Sequence, residues 1–102
     1  MKIRKVYKMT NKELAIKVVA EDILKSIEED YQEVESYAEY VQCVYWGDTE
    51  EMKEEVLYVL LHDERTKNIV NDECEIEDGN NFISYRSLMA SVRNKVNAYL
   101  NG

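Results

Sequence analysis

The sequence predicts a mainly α-helical single domain over residues 1–102, built from three to four helices. One long N-terminal helix dominates, and there is room for a short β-hairpin near 74–85. Three observations lead there. The chain contains no proline and only three glycines, at positions 47, 79 and 102, so little interrupts a helix. Apolar residues recur at alternating spacings of four and three from Ile16 to Val44. Cap-forming side chains stand where each helical run begins. A 45% hydrophobic content supports a modest core rather than a disordered acidic tail.

Each element has its own justification. Residues 2–9 roughly alternate polar and apolar types, the pattern of a short strand or extended arm. Thr10 opens a capping box, Thr-Asn-Lys-Glu, in which Thr10 and Glu13 satisfy each other's backbone N–H groups. The helix that follows runs from about 11 to about 45, with Ile16, Ala20, Ile23, Ile27, Val34, Tyr37, Val41 and Val44 in a heptad-like stripe. Asp30 interrupts the stripe, so a bend is expected near Asp30–Tyr31, and Gly47 is a natural stop. Asp48 caps a second helix, with Glu51 in its first turn. Met52, Val56, Val59 and Leu60 form its apolar face, widened by Leu57 and Leu61. That helix ends near His62 or continues brokenly to Val70. Asp78-Gly79-Asn80-Asn81 is a turn signal between candidate strands Cys74–Glu77 and Phe82–Tyr85. Ser84 caps a last helix that docks through Tyr85, Leu88, Met89, Val92, Val96 and Tyr99. Ile23, Ile27, Val34, Leu57, Leu60, Leu88 and Val92 form the expected core, and burying each contributes ~1.5–3 kcal/mol before entropy is subtracted.

Catalytic chemistry is not expected. His62 is the single histidine, and its place at a helix end beside Asp63 and Glu64 reads as surface. No nucleophile elbow, cysteine-protease signature or glycine-rich phosphate loop occurs, so no acid, base and nucleophile converge. Cys43 and Cys74 are far apart and read as free thiols, and with one histidine they give no zinc spacing. Neither a metal nor another cofactor is implied. Ile76–Leu88 resembles the back half of an EF-hand loop, with Asp78, Asn80 and Ile83 in register. Ile76, Asn81 and Ser87 stand where that loop needs Asp, Gly and Glu, so calcium binding is not carried over. There is no run of about 18 apolar residues and no apolar signal segment, so a cytoplasmic setting without membrane association is expected.

The charge distribution is the sharpest functional signal. Residues 1–20 carry six basic side chains (Lys2, Arg4, Lys5, Lys8, Lys12, Lys17) against Glu13 alone. Residues 21–78 hold 20 of the 21 acids, with only Lys25, Lys53, Arg65 and Lys67 among them. Arg86, Arg93 and Lys95 follow on the polar face of the last helix, where a solvated role is expected, and the net charge is −8. Helix faces usually mix signs at i, i+4, but Glu29–Glu33, Glu35–Glu39, Glu50–Glu54 and Glu51–Glu55 repel, each by a few tenths of a kcal/mol. Glu21–Lys25 is the favourable pair in the first acidic turns, and Glu21, Glu28 and Glu35 recur every seventh residue. Residues 28–39 carry six acids, Glu28, Glu29, Asp30, Glu33, Glu35 and Glu39, or one per ~3 Å of helix rise. A single nucleic-acid strand carries one charge per ~3.4 Å. The tyrosines read mainly as core and core rim, but Tyr40 and Trp46 adjoin the acids and would act as interface anchors if exposed.

In size, acidity, helical build and lack of catalytic residues the chain is similar to the small anti-defence proteins of phages, anti-CRISPR proteins among them. That likeness is one of composition and transfers no residue. It implies an inhibitor acting in a host cytoplasm on a basic nucleic-acid-binding protein, for example a CRISPR effector nuclease. Direct nucleic-acid binding is disfavoured by the acidic balance. The surface expected to stand in for phosphates is Glu28, Glu29, Glu33, Glu35, Glu39, Asp48, Glu50, Glu51, Glu54 and Glu55, with Tyr40 and Trp46 beside them. The alternative expectation is a homo-oligomeric structural or regulatory protein, such as a viral assembly component, in which the stripe from Ile16 to Val44 pairs with its own copy.

Overall fold

The computed structural model describes residues 9–30 and 50–101. Within them lie helix α1 (Asn11–Asp30), helix α2 (Glu50–Leu61), strands β1 (Ile76–Asp78) and β2 (Asn81–Ile83), and helix α3 (Tyr85–Asn101). The protein is mainly helical, with a long N-terminal helix and one small antiparallel hairpin. The expectations for residues 2–8, the bend after Asp30, the stripe from Val34 to Val44, Cys43, Gly47 and the Asp48 cap lie outside the described residues.

The start of α1 forms as its sequence requires. The Glu13 N–H donates to the Thr10 hydroxyl at 3.0 Å, and the Thr10 N–H donates to Glu13 Oε1 at 2.9 Å. The Thr10 backbone N–H first, and its side chain second, hold the Glu13 carboxyl below the usual carboxylate range by hydrogen bonding. The helix is the centre of the fold, touching α2, α3 and β1. Accordingly its buried face is broader than a heptad seam. Ala20, Ile23 and Ile27 are buried as the stripe predicts, but so are Ala15, Val18 and Val19. A single partner helix needs two positions per heptad, and contact with several elements recruits the flanking ones as well. The described part of the stripe is thus consumed inside the chain, so self-pairing through Ala20, Ile23 and Ile27 would require opening the core.

Along α2, Met52, Val56 and Leu60 repeat every fourth residue and are buried, with Leu57 and Val59 half-buried. Leu61 turns outward at 42% exposure, so the apolar face is narrower than expected. The broken continuation to Val70 is a series of turns. They are closed by Thr66 N–H and Lys67 N–H donating to the Asp63 carbonyl at 3.1 and 2.9 Å. Thr66 is fully buried and its hydroxyl donates to the Leu60 carbonyl at 2.6 Å. That carbonyl is one of the last in α2, where intrahelical donors run out.

The hairpin is shifted from its expected bounds. Ile76 pairs with Ile83, Glu77 with Phe82 and Asp78 with Asn81, leaving a two-residue loop of Gly79 and Asn80. Gly79 takes φ of +66°, the left-handed value that a type II′ turn places at its first loop residue. Strand β1 does not reach back to Cys74 because residues 71–75 are engaged otherwise. The Asn71 side-chain carbonyl accepts from the Glu73 and Glu75 N–H groups at 3.0 and 2.9 Å, and Cys74 sits at φ of 60°. Strand β2 stops at Ile83 because Ser84 turns to cap α3, its hydroxyl accepting from the Ser87 N–H at 3.2 Å. The hairpin is pinned to α1 by Asn11, whose side-chain N–H donates to the Glu77 carbonyl at 2.7 Å.

Helix α3 docks through Leu88, Val92 and Val96, all fully buried, with Tyr85 and Met89 half-buried. Tyr99 does not join them. It lies three residues beyond Val96 and is 71% exposed. A tyrosine tolerates that position because its hydroxyl stays hydrated. Among the described residues no helix is long and apolar enough to cross a membrane.

Candidate protein-binding surface

The solvent side of α2 follows from what its other side buries. With Met52, Val56 and Leu60 facing the core, Glu51, Glu54, Glu55 and Tyr58 fall three or four residues apart on the outside. All four are exposed, as is Glu50. Glu50 and Glu51 sit in the first turn, where the helix dipole favours carboxylates. On α1, Glu28 and Glu29 are exposed near the end of the described helix. Glu33, Glu35, Glu39, Asp48, Tyr40 and Trp46 lie outside the described residues.

The acids of the two helices share one electrostatic neighbourhood. Asp22 of α1 is half-buried, and its carboxyl is pushed above the usual range. Loss of hydration is the main cause, followed by the negative charge of Glu55 on α2, with Glu29 adding to it and Lys25 opposing. Asp22 belongs to none of the acidic rows that the sequence pattern singles out. Its position three residues after the core residue Val19 was the available sign that it stands at the rim of the helix interface.

Part of the negative charge is compensated within the fold. Arg65 donates to Glu21 at 3.0 Å and to both carboxylate oxygens of Asp63, through Nε at 2.9 Å and a terminal nitrogen at 2.8 Å. Arg65 holds the Asp63 carboxyl down at about 2. Glu21, the first member of the seven-residue row, therefore has a partner 44 residues away. Lys67 pairs with Glu64 at 3.0 Å. Glu50 borders a cleft of about 400 Å³ where α2, the Asn71 loop and α3 meet, shared with Lys53, Glu73, Glu75, Ser84, Tyr85 and Arg86. Both signs line that cleft. Arg93 and Lys95 are exposed on α3, on its polar side as expected.

An aromatic pair closes the acidic face of α2. Tyr58 is 61% exposed, and its ring stacks on His62 with centroids 3.9 Å apart and planes inclined by 25°. His62 Nδ1 donates to the Tyr58 carbonyl at 2.8 Å, which fixes the imidazole against the phenol. His62 is on the surface, as its sequence position suggests, but Tyr58 departs from the core-rim role expected of the tyrosines. Its spacing of four from Glu54 and seven from Glu51 already put it on the polar side.

The Cys74 thiol is buried and is pushed up to about 11 by burial, with Lys53 opposing. Among the described residues, no group of three or more His, Cys, Asp or Glu side chains is placed to hold a metal ion. Compared with known proteins, the chain matches no family model, no curated protein and no solved structure.

Proposed function

We propose that this protein is a non-enzymatic acidic inhibitor that occupies the cationic groove of a nucleic-acid-binding partner, as an anti-CRISPR or related anti-defence protein would. The observation that carries the reading is the solvent face of α2, where Glu51, Glu54 and Glu55 are exposed and Glu55 shares its field with Asp22 and Glu29 of α1. Like charges at these spacings cost folding energy and return none to the isolated chain. A basic groove would relieve that repulsion, and the same field would speed encounter in a salt-sensitive way. The basic partner could be a CRISPR effector nuclease.

The test is displacement of a labelled duplex from such a nuclease. The parent protein should release the duplex at low salt and lose that ability as salt rises. Reversal of Glu51, Glu54 and Glu55 to lysine should abolish release while helical circular dichroism is kept. A folded triple variant that still displaces the duplex as well as the parent would sink the proposal.

A further inference from the structure

Building on the proposed acidic docking surface, we infer that the stacked Tyr58–His62 pair is an arginine-binding platform, so that the partner presents a guanidinium to this end of α2. Four features of the site support this. The Tyr58 ring is 61% exposed, which leaves aromatic surface open to a ligand. The imidazole is stacked on it at 3.9 Å with the planes inclined by 25° and is held by the 2.8 Å bond from Nδ1 to the Tyr58 carbonyl, so the platform is formed before anything binds. Glu54 and Glu55, one helical turn back, and Glu51, two turns back, place carboxylates along the same side. Leu61, 42% exposed and three residues on, adds an apolar border.

The combination discriminates between cations. A lysine ammonium is a compact, strongly hydrated charge that gains chiefly from carboxylates and less from an aromatic face than a guanidinium does. A guanidinium is planar and weakly hydrated; it stacks on an aromatic face while its edge N–H groups reach carboxylates. A flat ring pair beside carboxylates satisfies both faces of the arginine requirement.

The experiment uses the full chain and two peptides of equal length and charge. One carries arginine and the other lysine at every basic position. Calorimetric titration at low salt should show the arginine peptide binding about 2–5-fold tighter, the range expected for one exposed cation–π contact. Tyr58→Ala should remove that preference by weakening the arginine peptide more than the lysine peptide, and Tyr58→Phe should keep it. Equal affinity for the two peptides, or a preference that survives in Tyr58→Ala, overturns the platform and leaves the cationic-groove reading standing. Failure of both peptides to bind overturns the two together.

Discussion

Replacing Thr66 by valine tests how the acidic helix is held at its C-terminal end. The two side chains are nearly the same shape, so the change removes a hydroxyl and little else. Thr66 and Leu60 are both fully buried, and the hydroxyl reaches the Leu60 carbonyl at 2.6 Å. Valine leaves that carbonyl buried near the end of α2, beyond the reach of an intrahelical donor. An orphaned buried acceptor costs ~1–3 kcal/mol. For a domain of this size each kcal/mol moves Tm by about 4–8 °C. Urea denaturation followed at the helical signal should show the midpoint fall with the slope unchanged. Thr66→Ser keeps the hydroxyl and loses one methyl, at about 0.8 kcal/mol. A valine variant within about 0.5 kcal/mol of the parent, below the smallest cost expected of an unpaired carbonyl, would refute the reasoning. Because Tyr58 and His62 stand at this end of α2, the same variant should also weaken their stacking in the ring-proton NMR signals.

Asp22→Asn should stabilise the protein near neutral pH by a few tenths to about 1 kcal/mol, because it removes a charge repelled by Glu55 and Glu29. The Asp22 carboxyl titrates above its ordinary value in the fold, so the cost is present when it is ionised and fades as pH falls through the carboxylate range. Urea melts near neutral pH and at about pH 3 should therefore show the advantage shrink, and an asparagine variant less stable at both values would contradict the assignment. A double-mutant cycle on Glu21 and Arg65 should return a coupling of ~0.2–1 kcal/mol, as befits an exposed pair at 3.0 Å, and should fall with added salt. Zero coupling at low salt would mean the pair is incidental. Cys74 should resist thiol reagents in the native state, since its buried thiol is pushed up to about 11, and should label quickly on unfolding. Peptide mapping separates it from Cys43, and rapid native labelling of Cys74 would rule out its burial.

What could be read from the sequence was whatever nearest neighbours decide. The capping box at Thr10, the Ser84 cap, the glycine turn and the repeat of Leu88, Val92 and Val96 are all local, and all are present. The exposed acids Glu28, Glu29, Glu50, Glu51, Glu54 and Glu55 were legible for the same reason, because helical spacing alone puts them outward. What local rules miss is competition between distant segments. Asn71 captures the backbone of residues 73–75 and so takes Cys74 and Glu75 away from the expected strand. Arg65 finds Glu21 across the fold, and Asp22 acquires its environment from a second helix. Tyr58 and Tyr99 lie exposed although helical spacing points to the core or its rim, and tyrosine is polar enough at its hydroxyl to stay hydrated there.

The central position of α1 has a consequence for how the chain comes into being. The helix is made early, yet the surfaces that cover it belong to α2, the hairpin and α3, and even its first residue waits for a backbone acceptor 66 positions later. During synthesis Val18, Val19, Ile23 and Ile27 must emerge without their partners, and the cover is complete only once α3 has been translated. The nascent chain is thus most vulnerable to misassociation in the interval when the apolar face of α1 has emerged and α3 has not. The carboxylates at the end of α1 and along α2 are made in that same interval, and like-charge repulsion between neighbouring nascent copies would keep them apart while they wait.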